Sequence, residues 1–261
     1  MIEICRDEIV TQCISRIQRK TKYTNCYVAI AELEQACAKH QLVAYQNEEA
    51  LIVLYKKEYY TELFFWCETW EWLGRLEEIR FLNEKLVISI IQKAGQELSG
   101  IFANYHLQTH RVYVRLRKSS LSVVAFDSVD VSYCDETDFG RLKNLMRSTF
   151  DPIGSNIPSD DELRYFLSNQ EVICVRNEHA LVKGFIIFED KGKTSYIRMV
   201  CVDKACSGIG IGTQLMSMYF YIHSEFKGYT LWCAVDNSIA LKLYGKFEYK
   251  QENIYNHIYA L

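Results

Sequence analysis

The sequence predicts a mixed α/β fold in two parts, and three observations lead to this prediction. Runs rich in β-branched and aromatic residues alternate with stretches in which apolar residues recur every three or four positions. The length of 261 residues exceeds what one average domain of roughly 100 to 200 residues needs. Only Gly74, Gly95 and Gly100 of the 12 glycines precede residue 126, so the two halves differ in kind.

The composition is that of a globular chain. Hydrophobic residues make up 49% and charged residues 24%, with a formal net charge of -3, which excludes the disordered class. There is no large basic excess, so we expect no nucleic-acid partner. No apolar run approaches the roughly 18 residues of a membrane span, so we expect no membrane partner. The charged start of the chain is unlike a secretory leader, and a cytoplasmic location is the resulting expectation.

The cysteines and histidines give no metal-site pattern. Ten cysteines are scattered without a CxxC pair, mostly inside apolar runs, and we interpret them as reduced. His106 and His110 have the i, i+4 spacing that would let them share a helical face as ligands. Because no set of cysteines or carboxylates accompanies them, we predict no metal.

The first half, residues 1–125, is predicted to be an accessory α/β domain. Helices are expected over residues 3–19, 26–40, 68–82 and 94–107. Strands are expected in ALIVLYKK and YYTELFFWC, which would form a hairpin, and in LVISII and RVYVRLRK. Its aromatic cluster is interpreted as core rather than as a binding groove and comprises Phe64, Phe65, Trp66, Trp70 and Trp72. The junction is placed within residues 119–127.

The second half, residues 126–261, has a clearer order of elements. Strands are expected in SVDVSYC, EVICVR, ALVKGFIIFED, SYIRMVCV, YTLWCAV and NIYNHIYAL. Helices are expected in ETDFGRLKNLMRSTF, DELRYFLS, GTQLMSMYFYIHSEF and NSIALKLYGKF. Antiparallel pairs thus lead into strand, helix, strand crossovers, which predicts a mixed sheet with helices on both faces.

The segment from Val200 to Met216 carries the strongest functional signal. Gly208, Gly210 and Gly212 alternate with isoleucine between the end of a strand and the start of a helix. Glycine lets the backbone approach an anion, and the first turn of a helix offers unpaired N–H groups at the positive end of its dipole. The spacing fits neither the GxGxxG nor the Walker pattern. A phosphate-binding turn and a tight turn without a ligand both remain open on this evidence.

Residues 207–212, SGIGIG, resemble a motif of the GCN5-related N-acetyltransferases (GNAT). That motif is Q/R-x-x-G-x-G/A at the start of the helix that follows the fourth strand. Ser207 stands where the family has Gln or Arg, which removes a long polar side chain but leaves the backbone donors. The resemblance implies that this turn binds the diphosphate of coenzyme A.

Residues 236–249, DNSIALKLYGKFEY, resemble a second motif of the same family, N-x-x-A-x-x-x-Y-x-K-x-G-F. The matching positions are Asn237, Ala240, Tyr244 and Lys246. Glu248 and Tyr249 replace the customary glycine and phenylalanine, so the turn after this helix is expected to differ locally. The likeness covers about residues 128–261, and the first half, with a similar order of elements but no glycine-rich loop, is open to interpretation as a degenerate GNAT-like copy.

The resemblance implies acetyl-CoA as cosubstrate and assigns site residues. The implied coenzyme-binding residues are Val200, Cys201, Val202, Ser207, Gly208, Ile209, Gly210, Ile211, Gly212, Thr213 and Asn237. Tyr244 is implied as the general acid, and Tyr196 occupies the position of a family glutamate that acts as base. The other candidate bases are Glu189, Asp190 and Asp203. A backbone N–H near Met199 or Val200 is expected to meet the oxyanion.

The resulting hypothesis is an N-acetyltransferase that moves acetyl directly from acetyl-CoA to a primary amine. The acceptor would be an amine-bearing small molecule or peptide, which includes a protein N-terminus or lysine, and a homodimer is one possible assembly. The alternative is a non-catalytic regulatory protein that binds acyl-CoA. An acyl-enzyme at Cys201 or Cys206 is disfavoured because neither has a neighbouring histidine in the sequence.

Overall fold

The computed structural model describes residues 2–19, 21–76, 85–95, 98–105, 107–119 and 132–260. The chain forms two units, one from Met1–Val112 with Ile254–Leu261 and one from Tyr113–Asn253. The predicted boundary at residues 125 and 126 lies outside the described residues. The division differs from the predicted one in that the end of the last strand belongs to the first unit.

The first unit contains a sheet with helices on both faces. Its helices are α1 (Arg6–Gln18), α2 (Ile30–Ala38) and α3 (Ser99–Ala103), and a 3₁₀ turn spans Glu71–Arg75. Its strands are β1 (Ile2–Glu3), β2 (Tyr23–Thr24), β3 (Leu42–Gln46), β4 (Ala50–Lys56), β5 (Thr61–Cys67), β6 (Leu86–Lys93), the start of β7 (Gln108–Ser119) and the end of β13 (Lys250–Ala260). The strand order is β1-β3-β4-β5-β6-β13, with β2 paired to β5.

Two apolar layers cover the two faces of this sheet. Side chains alternate along β5, so Phe64 and Trp66 pack with α1 and α2, whereas Phe65 packs with Trp72 and Phe102 on the opposite face. The predicted β4–β5 hairpin is confirmed. The interpretation of the aromatic cluster as core is confirmed as well, since these side chains are buried and Trp70 is partly buried.

Several predicted elements of the first unit were wrong in extent. Strand β3 was not predicted, because its five residues lie directly after a helix and give too short an alternation. The helix expected over 94–107 is confined to α3, and the helix expected over 68–82 is a 3₁₀ turn, with residues 77–84 outside the described residues. His110 lies in β7, so it has no helical face to share with His106, which lies outside the described residues.

The second unit follows the predicted order closely. Its helices are α4 (Phe139–Thr149), α5 (Asp160–Ser168), α6 (Ile211–Ile222) and α7 (Ser238–Lys246), and short 3₁₀ turns span Glu136–Asp138 and Lys204–Cys206. Its strands are β8 (Ser132–Tyr133), β9 (Val172–Arg176), β10 (Val182–Lys191), β11 (Thr194–Val202), β12 (Gly228–Ala234) and the rest of β7. The order is β7-β12-β11-β10-β9-β8.

Local sequence accounts for these elements. Ser159 and Glu162 form a capping box that begins α5. The apolar faces of α4 and α5 pack with β9, β10 and β11 in one core. Strand β11 pairs with β10 antiparallel and with β12 parallel, and α6 makes the crossover between β11 and β12. The mixed α/β fold with a mixed sheet is therefore confirmed.

Three further properties concern the described residues only. None of their helices combines the length and the apolar character that crossing a bilayer requires. No three His, Cys, Asp or Glu side chains converge there as a metal site would need. All ten cysteines are free.

Candidate active site

The centre of the candidate site is an opening between two parallel strands of the second unit. Strands β11 and β12 are paired only from Thr194 with Gly228 to Ile197 with Leu231. Both strands continue, to Val202 and Ala234. We call the space between their unpaired ends the second-unit opening. It leaves one edge of β11 free for an extended ligand.

A β-bulge on β11 lies at the mouth of this opening. Ile187 of β10 is opposite Met199, but the next residue of β10, Phe188, is opposite Ile197, so Arg198 is the extra residue. A bulge makes two consecutive side chains point to one face. Arg198 lies over the ring of Phe166, and Met199 packs in the same α4–α5 core. The bulge therefore changes which residues of β11 face each side.

Main-chain directions in β11 follow from one hydrogen bond. Asp203 N–H donates to the carbonyl oxygen of Lys183 at 2.8 Å. In an antiparallel pair, hydrogen-bonded positions alternate. Cys201 therefore directs its N–H and C=O toward β10, whereas Val200 and Val202 direct theirs away from it, into the second-unit opening. Of the two N–H groups predicted for the oxyanion, that of Val200 faces the opening and that of Met199 faces β10.

Cys201 itself belongs to the core. Its side chain is fully buried in the apolar cluster under α4 and α5. Burial raises the pKa of its thiol to about 11, so a nucleophilic thiolate is disfavoured at neutral pH. Because its main-chain groups face β10, Cys201 is not among the groups that line the opening, whereas its predicted neighbours Val200 and Val202 are.

The glycine-rich loop leads from the end of β11 to α6. Asp203 begins it by accepting from the N–H of Ala205 at 3.0 Å and by pairing with Arg141. Gly208 and Gly210 have φ angles of 81° and 93°, which residues with a side chain rarely adopt. The intervening Ile209 is 65% exposed. Glycine is thus required here by backbone conformation.

The start of α6 has the properties predicted for an anion site. Gly210 is the N-cap residue and has no capping side chain. The first bond into the helix runs from Gln214 N–H to the carbonyl oxygen of Gly210 at 3.0 Å. Among the described residues, the N–H groups of Ile211, Gly212 and Thr213 have no acceptor. Three donors and the positive end of the helix dipole are therefore available to an anion.

Two glycines bring the elements of the site together. A Cβ on Gly184 would lie 2.8 Å from the carbonyl oxygen of Cys201 and 3.0 Å from Ile211, so glycine lets α6 pack tightly on β10. A Cβ on Gly212 would lie 3.1 Å from Leu243 of α7 and 4.0 Å from Val202. The end of β11, the start of α6 and the middle of α7 therefore meet at Gly212.

Helix α7 places Tyr244 within the second unit. Asn237 begins the helix by accepting from the N–H of Ala240 at 3.0 Å, so its side-chain oxygen is used in capping. Tyr244 is buried, and burial, followed by the nearby Cys233 of β12, raises the pKa of its phenol. Its ring lies 5.9 Å from that of Tyr249. Within the described residues its hydroxyl has no hydrogen-bond partner.

The turn after α7 explains one departure from the family motif. Glu248, at the customary glycine position, has a φ of 63°, which is the left-handed region that favours glycine. Its carboxylate pairs with Lys118 at 2.7 Å, and the Lys118 side chain is only 5% exposed. The sequence here keeps the backbone of the motif and adds an ion pair.

Tyr196 and the candidate bases are divided between separate places. Glu189 lies across the strand pair from Tyr196 and bonds Arg198 at 2.7 Å. Burial raises the pKa of Tyr196, so this phenol stays protonated at neutral pH. The bond from Ala205 N–H, followed by Arg141, lowers the pKa of Asp203. One cluster at the bulge thus contains Glu189, Tyr196 and Arg198, while Asp203 lies at the glycine loop.

Asp190, the remaining candidate base, lies in a different network. Its Oδ2 is 3.3 Å from Nε2 of His223, which is buried. His223 Nδ1 lies 2.7 Å from the carbonyl oxygen of Tyr219, and the Tyr219 hydroxyl donates to Ser195 at 2.7 Å. This network ties α6 to the far end of β11, away from the second-unit opening.

Three residues of the site were not predicted from the sequence: Arg198, Gly184 and Lys118. A signal existed for the first two, since a charged residue interrupts the apolar run SYIRMVCV and a glycine lies inside a strand pattern. Lys118 gave no signal, because its neighbours in RVYVRLRK include several other cations.

Among known proteins, one family model and several solved structures of similar fold match the chain. A family model described as "Acetyltransferase (GNAT) domain" matches residues 168–251. No curated protein matches the chain. A GCN5-related N-acetyltransferase from Sphaerobacter thermophilus is similar in structure at 10% identity, with 100% of this chain and 95% of that chain covered and a TM-score of 0.57.

Two further solved structures show the same likeness. A tandem GNAT protein from the clavulanic acid biosynthesis pathway is 10% identical, with 100% and 97% of the two chains covered and a TM-score of 0.58. A GNAT acetyltransferase from Colwellia psychrerythraea is 8% identical, with 99% and 97% covered and a TM-score of 0.57. At these identities the likeness shows the fold, and it extends over both units of the chain.

Proposed function

From the premise that residues 168–251 form a GNAT acetyltransferase domain, we propose that the chain is an N-acetyltransferase. It would move acetyl from acetyl-CoA to a primary amine by direct transfer within the second unit. The observation that carries the proposal is the continuity of the second-unit opening with the uncapped start of α6. A single extended ligand with an anionic end fits both.

The phosphate end is assigned to the glycine loop. The N–H groups of Ile211, Gly212 and Thr213 point out of the first turn of α6 and have the helix dipole behind them. Gly208 and Gly210 keep side chains away from the approaching diphosphate. Ser207 and Ile209 complete the loop.

The arm of the coenzyme is assigned to the free edge of β11. The pantetheine arm contains two amides, and Val200 and Val202 present both donors and acceptors to the opening. An amide chain beside this edge would continue the sheet as another strand does. The Nδ2 group of Asn237, whose oxygen caps α7, is assigned as a further donor at the start of that helix.

Acetyl transfer requires a donor for the developing oxyanion and a base for the acceptor amine. Val200 N–H would donate to the thioester oxygen as negative charge develops there. An amine with a pKa near 10.4 is deprotonated in only about one molecule in 2,500 at pH 7, so a base is needed. We assign that role to Glu189, and Tyr196, which remains protonated, acts as a hydrogen-bonding neighbour.

Tyr244 is assigned as the acid that meets the leaving thiolate. For an unperturbed phenol and thiol, the transfer would be uphill by roughly 2 kcal/mol, and burial of Tyr244 adds to this. The hydroxyl therefore donates only when the sulfur carries full negative charge. This supports a late role, after the bond from the acetyl carbon to sulfur has broken.

The alternative function is an acyl-CoA-binding regulatory protein without turnover. The buried Tyr244 with a raised pKa favours this candidate, because such a phenol gives up its proton reluctantly.

The acceptor in the leading proposal is an amine-bearing small molecule or peptide. The free cysteines suit the reducing cytoplasm.

The test is release of free thiol from acetyl-CoA with a panel of small amines and peptides. Tyr244→Phe is expected to lower kcat by on the order of 10²-fold to 10⁴-fold while CoA affinity is kept. Tyr249→Phe is the matched control, because Tyr249 is also buried and its substitution restores the residue that the family motif has. Equal rates for both variants would exclude the acid role, and no turnover with any amine would favour the regulatory protein.

A further inference from the structure

The first unit repeats the strand arrangement that forms the second-unit opening. Strands β5 and β6 are parallel and are paired from Thr61 with Leu86 to Glu62 with Val87. Both strands then continue, β5 to Cys67 and β6 to Lys93. Like β11 and β12, they are consecutive in the sheet and separate after a short parallel ladder. We call the space between them the first-unit opening.

The first-unit opening contains a segment of the chain itself. Residues 22–27, KYTNCY, which we call the strap, include β2. Tyr23 is opposite Cys67 and Thr24 is opposite Trp66 in an antiparallel ladder. Strand β4 pairs with the whole length of β5 on its other edge. The strap therefore occupies the same edge of β5 as β6 does, beyond the point where β5 and β6 separate.

Asn25 closes the opening with its side chain. Its Nδ2 donates to the carbonyl oxygens of Leu63 at 2.8 Å and Ser89 at 3.2 Å. Its Oδ1 accepts from the N–H of Phe65 at 2.8 Å. Asn25 is 8% exposed. One carboxamide thus satisfies two groups of β5 and one of β6, which is what an amide of an inserted strand would do.

Contacts on both sides of Asn25 hold the strap in place. The Thr24 hydroxyl accepts from the N–H of Cys26 at 3.1 Å, which fixes the turn around Asn25. The Tyr27 hydroxyl donates to Glu62 at 2.6 Å, and the ring of Tyr27 meets Phe64 edge-on at 5.7 Å. Glu62 is 3% exposed. The end of the strap is therefore bonded to a carboxyl group inside the sheet.

The region that corresponds to the glycine loop has the opposite chemistry in the first unit. The residues after β5 are Glu68, Thr69, Trp70 and Glu71, and the element that begins there is a 3₁₀ turn of five residues. They line a pocket of about 420 Å³ that the strap's own Tyr23 also borders. The two carboxylates outnumber the one cation of the lining, Lys22, so this place disfavours a diphosphate.

We propose that the strap is an internal ligand of the first unit, which permanently fills the first-unit opening between β5 and β6. Each chain then binds one coenzyme A thioester, in the second unit only. The second part rests on the proposed function. The first part rests on the bonds of Asn25 and stands without it.

Amide hydrogen exchange of the full chain tests the first part. In the wild-type protein the Phe65 amide is expected to exchange slowly, and Asn25→Ala is expected to speed it by at least about tenfold. Asn47→Ala is the matched control, because Asn47 caps the β3–β4 turn of the same unit through Ala50 N–H and does not bond Phe65. A fast Phe65 amide in the wild-type protein, or one unchanged by Asn25→Ala, overturns the proposal.

If Asn25→Ala does not fold, Asn25→Asp decides. Aspartate keeps the acceptor for Phe65 N–H but cannot donate to Leu63 or Ser89, so a clear fall in melting temperature is expected. Asn47 accepts only, from Glu49 and Ala50 N–H groups, so Asn47→Asp is expected to melt near the wild-type temperature. Equal melting temperatures of Asn25→Asp and the wild-type chain overturn the proposal.

Calorimetric titration with coenzyme A tests the second part. One site per chain is expected, with protection from exchange gained at residues 200–214 and not at residues 61–67. Two sites, or protection gained in the first unit, overturns it. Absence of binding to the wild-type chain would instead remove the proposed function, and the exchange of Phe65 would still decide whether the strap fills its opening.

Discussion

Each unit contains a parallel strand pair that separates after a short ladder, β5 with β6 in the first and β11 with β12 in the second. The two pairs differ in what lies between the separated strands. In the first unit a carboxamide from the chain bonds both strands past their last pair. In the second unit the corresponding edge of β11 is free and leads to three unpaired N–H groups at the start of α6. Under the proposed function, an opening of this kind binds a ligand only where the chain does not supply its own amide.

The difference depends on few residues, because the surrounding layers are alike. Each unit covers both faces of its sheet with helices. Strand β5 of the first unit is buried along its whole length, and β11 of the second unit is buried at every other residue. What changes is a strap of six residues in one unit and a loop with three alternating glycines in the other. The fold supplies the opening, and these segments decide its use.

The largest effect is expected from removing the carboxamide of the strap. Asn25→Ala leaves the Phe65 N–H and two carbonyl groups without partners in a buried place, which costs about 3 kcal/mol of unfolding free energy. Urea unfolding followed by tryptophan fluorescence measures it, since Trp66, Trp70 and Trp72 lie in the first unit. Asn47→Ala is expected to cost about 1 kcal/mol at its turn. Equal losses of unfolding free energy in the two variants would show that Asn25 contributes no more than an asparagine at a turn.

The next effect concerns the free site of the second unit. Gly210 has a φ of 93° and open space around its Cβ position, so a side chain there acts through the backbone alone. Gly210→Val is expected to weaken CoA binding by about 1–2 kcal/mol, a factor of roughly 5 to 30 in Kd. Gly140→Ala, at an equally open helical position, is the control and should leave Kd unchanged. Unchanged binding in Gly210→Val would exclude the glycine loop as the diphosphate site.

The second unit could be predicted from the sequence because its signals are local. The Gly208–Gly212 spacing, the alternation in β11 and the capping box at Ser159 each lie within a few neighbouring residues. The likeness to a known family then supplied Tyr244 and Asn237, whose roles no local pattern indicates. The structure gives the positions of these residues and turns the main chain of Cys201 toward β10, and the roles of Tyr244 and Asn237 stay predictions.

The rest could not be predicted because it depends on contacts between distant residues. Asn25 lies 38, 64 and 40 residues from its three partners, and nothing in KYTNCY indicates them. The bulge at Arg198 arises from the register of β10 against β11. Glu248 was expected to alter the turn after α7, yet its positive φ preserves the glycine-like backbone. The partners of Asn25 and the bulge at Arg198 are therefore set by tertiary structure.

A smaller effect separates backbone strain from charge at Glu248. Glu248→Gln removes the pairing with the buried Lys118 and is expected to cost about 1 kcal/mol of unfolding free energy. Glu248→Gly removes the same charge but also relieves the left-handed conformation, which returns about 1 kcal/mol. Glu248→Gly should thus be about as stable as the wild-type chain in thermal unfolding. If the glycine variant is no more stable than the glutamine variant, strain at this position is negligible.

The smallest expected effect is the loss of stability when His223 takes up a proton below neutral pH. Because His223 lies in the second unit, this loss is expected there and not in the first unit. Burial lowers the pKa of His223, against the opposing contributions of the Tyr219 carbonyl and Asp190. The unfolded chain therefore binds a proton first as pH falls. The stability that His223 contributes is fully present above pH 6.5, its reference value, and is lost between there and its lower folded pKa, with a slope of up to about 1.4 kcal/mol per pH unit.

Amide exchange at pH 7.5 and pH 5.5 measures this effect within each unit. Faster exchange on acidification is expected in α6 and the far end of β11, and not at Phe65 in the first unit. His223→Gln keeps a polar group and has no proton to gain, so its α6 amides should exchange alike at the two values after correction for the intrinsic rate. A loss of protection in α6 that persists in His223→Gln would assign the pH dependence to Asp190 or another carboxylate rather than to the buried imidazole.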